Sequence, residues 1–384
     1  MLKQRIEASL NGVERWIEEH DYKGYDPSDG LTSYLRPLTC SNTFLERILQ
    51  QIGRQSPVNL RPLMGIKPLE SAQGRGYAAW GYLERFRQTG EDTYKIKALT
   101  CLDWLDRNKS PRYQSHSWGY YFDYASRGGK RPEQESTTVW TGLIGQVFLE
   151  AYELFGLHRD LEVIESICDW ILHLPRERTP RGVCLSYTAS GLGSIHNSNM
   201  IAAAFLAGAS RYTHKSEALE AARQAMEYSC SRQLPDGAWY YAERDNCHWV
   251  DNFHTGYNLD NLKRYARYAQ DSTFDENLKK GLDYYQKTFI LDDGFPKYYC
   301  QRPYPLDIQC ASQAIETLAF FAEDDPDCLG LACRVANWTI ENMQDDDGHF
   351  YYRMYPFHIK AKVPLIHWGQ ATMHRALACL LARL

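Results

Sequence analysis

An all-α ring of six helical hairpins is the fold this sequence predicts, and three observations predict it. A nine-residue phrase is written twice, 111 residues apart: "QLPDGAWYY" at 233–241 and "QDDDGHFYY" at 344–352. An acid-or-amide plus aromatic pair recurs within helical apolar patterns, as Asp103-Trp104, Asp169-Trp170, Glu227-Tyr228, Asp283-Tyr284 and Asn337-Trp338, with the aromatics 66, 58, 56 and 54 residues apart. Each such unit then runs through an irregular aromatic stretch into a second, more apolar helical segment. Self-similarity at a near-constant period marks stacked units that bury their apolar faces on one another.

The elements follow in order. The segment through Ile52 supplies the first and least regular outer partner. The six inner helices are expected in "LESAQGRGYAAWGYLERF", "ESTTVWTGLIGQVFLEAYELF", "HNSNMIAAAFLAGASRY", "HTGYNLDNLKRYARYA", "LDIQCASQAIETLAFFA" and "IHWGQATMHRALACLLA". Apolar and small residues surround most of each, as in buried, closely packed helices. Turns such as "QTGED" and "AEDDPD" lead to the next amphipathic outer helix, for example "TYKIKALTCLDWL". In the last three units Asp236-Gly237, Asp293-Gly294 and Asp347-Gly348 make the turn from outer to inner helix. The second unit lacks the Asp-Gly, and the first keeps only the aromatic part, as Trp118, Tyr120 and Tyr121 in "QSHSWGYYFDY". Closure of the six hairpins gives one (α/α)6 toroid over residues 1–384, with 1–52 packing into the ring.

Composition narrows the function. Apolar residues at 44% and charged residues at 24% are those of a globular chain. A formal charge of −5 argues against a general nucleic-acid binder. The 11 cysteines form no CxxC pair and no disulfide spacing, which points to a reducing compartment. The opening "MLKQRIEASLNGVERWIEEH" has no apolar signal core, and no 18-residue apolar run exists. The expected location is the cytoplasm, without an integral membrane segment. The 27 tyrosines and 10 tryptophans suit saccharide stacking as well as a helical core.

The phrase "QLPDGAWYY", the outer "TGEDTYKIKALTCLDWL" and the Ala-rich inner helices resemble the six-hairpin toroids. That group includes sugar-active hydrolases, epimerases and uronate-processing enzymes. The Q-x-x-x-G-x-[WF] element is similar to the repeat of squalene cyclases and protein prenyltransferases. The stretches "YKGYDPSDGLTS" and "SPVNLRPLMGIKP" resemble an uncharacterised toroid family associated with polysaccharide-biosynthesis gene clusters. The resemblance spans nearly the whole chain at the level of fold. It implies a saccharide substrate and an association with polysaccharide-biosynthesis machinery, but its motifs are architectural and name no reaction.

In a closed toroid the N-terminal ends of the inner helices converge on one mouth, each offering free N–H groups and partial positive charge. Read in order, those starts give Glu70 and Ser71; Gln134, Glu135, Ser136 and Thr137; His196, Asn197, Ser198 and Asn199; His254 and Thr255; Asp307 and Gln309; His367 and Gln370. Ser, Thr, Asn and Asp at such positions are also ordinary caps. Just upstream, Arg61, Arg131 and Arg302 each precede a proline, and Lys362-Val363-Pro364 echoes them. Cations around helix N-termini would make an anion-attracting mouth, suited to uronate carboxylates or phosphates. Pairing of these arginines with nearby acids is the structural alternative.

Proton abstraction next to a uronate carboxylate needs a base, an opposing acid and a group that neutralises the carboxylate. His196 or His254 as base, Tyr241 or Tyr298 as partner and an arginine as clamp satisfy that list. Asn197, Asn199, Trp239 and Tyr352 join Arg61, Arg131 and Arg302 as candidate substrate contacts. A glycoside hydrolase would instead need two flanking carboxyls, from Glu135, Asp251, Asp260 and Asp307. No cofactor is expected. A divalent metal held by His196, His254, Asp307 and His367 is an alternative whose ligands would all come from separate repeats. The leading expectation is an enzyme acting on a uronate-containing glycan or glycolipid precursor, by C5-epimerase or lyase chemistry. Hydrolysis, a non-catalytic glycan-binding module and a prenyl or terpenoid enzyme are the competing readings.

Overall fold

The structure is a computed structural model that describes residues 2–126 and 129–384. The six outer helices are α1 (Leu2–Glu19), α4 (Asp92–Arg107), α6 (His158–Leu172), α8 (Ser216–Cys230), α10 (Asp275–Phe289) and α12 (Asp327–Met343). The inner helices are α3 (Ala72–Thr89), α5 (Thr138–Phe155), α7 (His196–Ala209), α9 (Asn252–Ala269), α11 (Ile308–Phe321) and α13 (Thr372–Leu381). A further helix, α2 (Thr43–Gln55), lies in the connection from α1 to α3. Each inner helix packs on the next, and α13 returns to α3, so the inner ring is closed. The fold is an all-α toroid, as expected.

Local chemistry explains the elements. The Ala-rich α7 combines the best helix former with small side chains, and all fourteen of its residues are buried between its neighbours. Ser71, Thr137, Asp251 and Asp307 cap α3, α5, α9 and α11 by accepting hydrogen bonds from first-turn N–H groups. Gly90 and Gly156 end α3 and α5 in the left-handed conformation.

The twice-written phrase is the joint between repeats. In each copy the aspartate accepts the N–H two residues on, Asp236 from Ala238 at 3.1 Å and Asp347 from His349 at 3.0 Å. The glycine has positive φ, 97° at Gly237 and 98° at Gly348. A Cβ on Gly237 would lie 2.3 Å from the Lys280 carbonyl of α10, and one on Gly348 would lie 2.5 Å from the Gly12 carbonyl of α1. The opening glutamine completes the joint: Gln233 Nε2 donates to the Asn277 carbonyl at 2.9 Å and Gln344 Nε2 to the Ser9 carbonyl at 3.2 Å. The phrase therefore docks each turn on the backbone of the following outer helix, and its last copy closes the outer ring onto α1.

Short antiparallel strands line the connections: β1 (Tyr124–Ser126) with β2 (Gly129–Arg131), β3 (Arg176–Thr179) with β4 (Gly182–Leu185), and β5 (Leu306–Asp307) with β6 (Arg353–Met354) and β7 (Lys360–Ala361). The N-terminal segment departs from its expected role. The outer partner α1 is a regular helix of 18 residues, and the irregular part is the connection after it, which folds across the mouth. Gln55 at the end of α2 accepts from Arg353 Nη1 at 2.9 Å through its side chain and from the Tyr355 hydroxyl at 2.7 Å through its carbonyl. A separate apolar cluster of Leu31, Leu49, Met64, Ile66 and Ala125 holds this connection together.

Candidate functional site

The mouth gathers side chains from all six outer-to-inner connections. His254, in the first turn of α9, is oriented by the cap of its own helix. Asp251 accepts the His254 backbone N–H at 3.0 Å, and its other oxygen accepts from His254 Nδ1 at 2.7 Å and from Trp249 Nε1 at 3.1 Å. That bond orients the ring, with Nδ1 donating to Asp251 and Nε2 directed away from it. Among the described residues Nε2 has no hydrogen-bond partner, and the imidazole is partly exposed. Tyr241 lies against the ring, centroids 4.6 Å apart, and itself stacks on Trp249 at 4.5 Å.

Around this pair stand tyrosines and two arginines. Arg131 lies over the rings of Tyr124 at 4.5 Å and Tyr187 at 5.0 Å. Arg54, delivered by α2, lies 5.7 Å from the Trp368 ring centroid, with Tyr298, Tyr352, Tyr124 and Asp307 in its electrostatic surroundings. Burial pushes the Tyr241 and Tyr298 hydroxyls well above their ordinary pKa, so both keep their protons and act as donors.

His367 reaches deeper. It is the second residue of a π-helical turn, Ile366–Ala371, broken by non-helical Trp368 and Gly369, and its ring lies against Trp140 (4.6 Å, edge to face) and Tyr77. Burial lowers its pKa against the opposing pull of Asp26, whose Oδ2 is 3.9 Å away, so the ring is neutral. Neither of its nitrogens has a hydrogen-bond partner among the described residues, and the same is true of Asp26 Oδ2, both amide atoms of Gln73, and the indole nitrogens of Trp140 and Trp368. Buried polar atoms are costly unless partnered, so such a concentration marks a place that polar groups of a ligand or bound water fill.

The other expected residues fall in several settings, and of them Asp307 and Tyr352 remain beside Arg54. His196 faces outward, with Nε2 2.8 Å from Glu243 and Nδ1 3.3 Å from Ser229 of α8, and Asn199 bonds the Ala225 carbonyl and Leu185 N–H. Asn197 is buried, with Oδ1 unpartnered among the described residues. Trp239 is buried against α10, donating to the Ser229 carbonyl at 2.9 Å. Arg61 spends its donors on Asp29 (2.9 Å), the Asp26 carbonyl (2.9 Å) and the Gly53 carbonyl (3.2 Å), so it ties the α1–α3 connection together. Arg302 is exposed on the rim over Tyr299. Glu135 sits beside the Tyr113 hydroxyl. Asp307 caps α11 and pairs with Arg353 at 3.0 Å. Tyr352 is buried with its hydroxyl unpartnered among the described residues, and Arg353 lies 4.6 Å from its ring. No group of three or more potential metal ligands converges among the described residues, and the four residues named for a metal divide between these separate settings.

The opposite end of the ring, at the C-termini of the inner helices, holds a cavity of about 550 Å³. Here Glu150 bonds Trp80 Nε1 at 2.7 Å, Arg87 at 2.6 Å and Arg264 at 3.1 Å, and Arg375 bridges Glu84 and Glu316. Asp260, expected as a mouth carboxyl, lies here instead, with its pKa pushed up to about 7 by burial and by Glu316.

No protein-family profile and no curated protein sequence matches the chain. Solved structures do. Cellobiose 2-epimerase from Bacillus thermoamylovorans is similar with TM-score 0.65 at 11% identity, over 81% of this chain and 87% of the epimerase. The fold is shared. A family GH76 α-mannanase from Bacteroides thetaiotaomicron matches with TM-score 0.61 at 13% identity, over 82% of this chain and 86% of the mannanase. A polysaccharide lyase matches with TM-score 0.58 at 11% identity, over 82% and 90%. The similar toroids thus include enzymes of three different reactions on sugars.

Sequence reasoning missed Arg54, Asp26, Gln73, Tyr187 and Trp368. Gln73 alone carried a signal, two residues past Ser71 at a recognised helix start.

Proposed function

We propose that the mouth binds a carboxylate-bearing saccharide and moves a proton at the carbon next to that carboxylate, with His254 as the base. The observation that carries this reading is the His254–Asp251 pair, on a partly exposed ring beside Tyr241 whose Nε2 has no partner among the described residues. Nε2 takes the C5 proton, and Asp251 stabilises the imidazolium that forms. The electron pair left on C5 spreads into the carboxylate, which Arg131 and Arg54 neutralise. A tyrosine hydroxyl, Tyr298 or Tyr241, holds its proton and returns one to carbon. Return to the opposite face of C5 gives epimerisation; donation of that proton instead to O4 as the C4–O4 bond breaks gives the product with a C4–C5 double bond.

Two facts favour this over hydrolysis. Both oxygens of Asp251 and both of Asp307 are already engaged, and Asp260 lies at the far end of the ring, so the expected carboxyls do not form a free flanking pair. The similar toroids acting on sugars support a saccharide as ligand. The test is proton NMR in deuterated buffer with glucuronate-containing oligosaccharides beside neutral disaccharides. Deuterium at C5 that disappears in His254→Ala is the expected result. Exchange in the neutral sugars alone would overturn the carboxylate assignment, and exchange unchanged in His254→Ala would overturn the base.

A further inference from the structure

The connection from α1 to α3 presents its apolar residues to solvent. On α2, Phe44, Ile48 and Ile52 recur at four-residue intervals and are exposed, with Leu45 beside them, while Leu49, Gln50 and Gly53 face inward. On either side of the helix Leu38 and Leu63 stand 75% exposed. The β6–β7 hairpin adds Phe357, 92% exposed and held at φ 62°, two residues from the Tyr355 hydroxyl that bonds the end of α2. Isolated exposed apolar residues are ordinary, but a cluster of this size on one face marks an interaction surface.

Charge identifies the partner. Between Tyr22 and Leu69 the only acids are Asp26, Asp29 and Glu46, and all three are buried. Lys67 is exposed there and Arg47 partly so, while Lys23 pairs with Asp21 just before the segment and Arg36 with Asp123 and buried Glu46. The hairpin adds Lys360 and Lys362, the latter 3.7 Å from Asp345, and no acid occurs from Phe350 to Leu384. In a chain of net charge −5 this face thus points no acid outward from either segment. Apolar side chains at unequal heights, rimmed by cations, suit a fluid anionic surface better than a rigid complementary one. A second copy related by a two-fold axis would set the same cations against each other.

We infer that the mouth face docks on an anionic phospholipid bilayer, with α2 lying in the interface and Leu38, Leu63 and Phe357 entering it. This goes beyond the reaction proposed above and does not depend on it. The mouth then opens at the lipid surface, where a saccharide carried on a lipid would present its head group.

The test is co-sedimentation of the full chain with phosphatidylcholine vesicles, with and without phosphatidylglycerol. Binding to the anionic vesicles that weakens with salt is expected, about tenfold or more tighter than to phosphatidylcholine alone. The triple variant Phe44→Ser, Ile48→Ser, Phe357→Ser should lose about tenfold or more of that binding while keeping its circular dichroism and Tm, since all three side chains are exposed. A tryptophan introduced as Phe44→Trp should shift its emission to the blue on the same vesicles. Failure to sediment with anionic vesicles, binding unchanged in the triple variant, or a wild-type dimer that the triple variant abolishes would each overturn the inference.

Discussion

Asp260→Asn should stabilise the protein above neutral pH and change little below about pH 4. Asp260 is buried at the closed end of the ring, where Gln313 Nε2 donates to one carboxyl oxygen at 2.7 Å and the other has no partner among the described residues. Burial and the neighbouring Glu316 push its pKa up to about 7 from the 3.8 of a free aspartate. A carboxyl whose folded pKa exceeds its unfolded value binds its proton more tightly in the fold. Stability is therefore greatest below the unfolded pKa and declines as pH rises from about 4 to 7. At 1.36 kcal/mol per pH unit the full loss is about 4 kcal/mol, and sharing of the proton with Glu316 brings the expected range to about 2–4 kcal/mol.

Asparagine keeps an acceptor for Gln313, places an amide where the unpartnered oxygen was, and does not ionise. For 384 residues the unfolding entropy is about 0.8 kcal/mol per degree, so the variant should gain about 3–5 °C in Tm at pH 8. The assay is differential scanning fluorimetry of both proteins from about pH 3.5 to 8. The two Tm curves should converge below about pH 4 and separate progressively up to about pH 7. Parallel curves across the whole range would refute the reasoning, because the carboxyl would then contribute packing without titrating.

His254→Ala should abolish isotope exchange at the mouth, and Asp251→Asn should lower its rate by about 10²–10⁴ while costing under about 1 kcal/mol in urea denaturation, because asparagine caps a helix nearly as well as aspartate. Arg61→Met should cost about 3–5 kcal/mol by the same denaturation assay, since it strands buried Asp29 without its partner. Gly237→Ala should cost about 2–4 kcal/mol, from its positive φ and the 2.3 Å approach to the Lys280 carbonyl. Gly191→Ala, where a Cβ meets nothing within 4 Å, should be silent in the same melt.

Much of the ring was legible because its signals are local. Helix starts announce themselves through caps, so Ser71, Thr137 and Asp307 stand where the sequence placed them, whereas α9 begins at Asn252 with Asp251 as its cap, ahead of the expected His254. The direction of a side chain is not local in the same way. His196 and His254 looked equivalent, yet α7 begins at His196 itself and α9 begins two residues before His254. Two positions turn a helical side chain by about 200°, which sends one imidazole to α8 and the other to the mouth. Arg61 read as a mouth cation because Asp29, the acid that takes it, lies 32 residues earlier. Arg54 gave no signal, since nothing within α2 reveals that the connection carrying it folds across the inner ring.

The two ends of the toroid are distinguished by how their polar groups are satisfied. At the closed end, Arg87 and Arg267 sit in the last turns of α3 and α9, where the helix dipole favours a cation, and Arg87, Arg264 and Arg375 are answered by Glu84, Glu150 and Glu316. That network answers the cations at the converging C-termini, and its main exception is Asp260, whose pKa burial and Glu316 push up to about 7. At the mouth the first turns are capped, but the side chains beyond them are not answered: His367, Gln73, Asp26, Trp140 and Trp368 all present polar atoms with no partner among the described residues. A fold that satisfies one end internally and leaves the other open pays that desolvation only where something else binds. This contrast supports the proposal that the mouth, with His254 held on Asp251, is the ligand-binding end and that the cavity at the other end is structural.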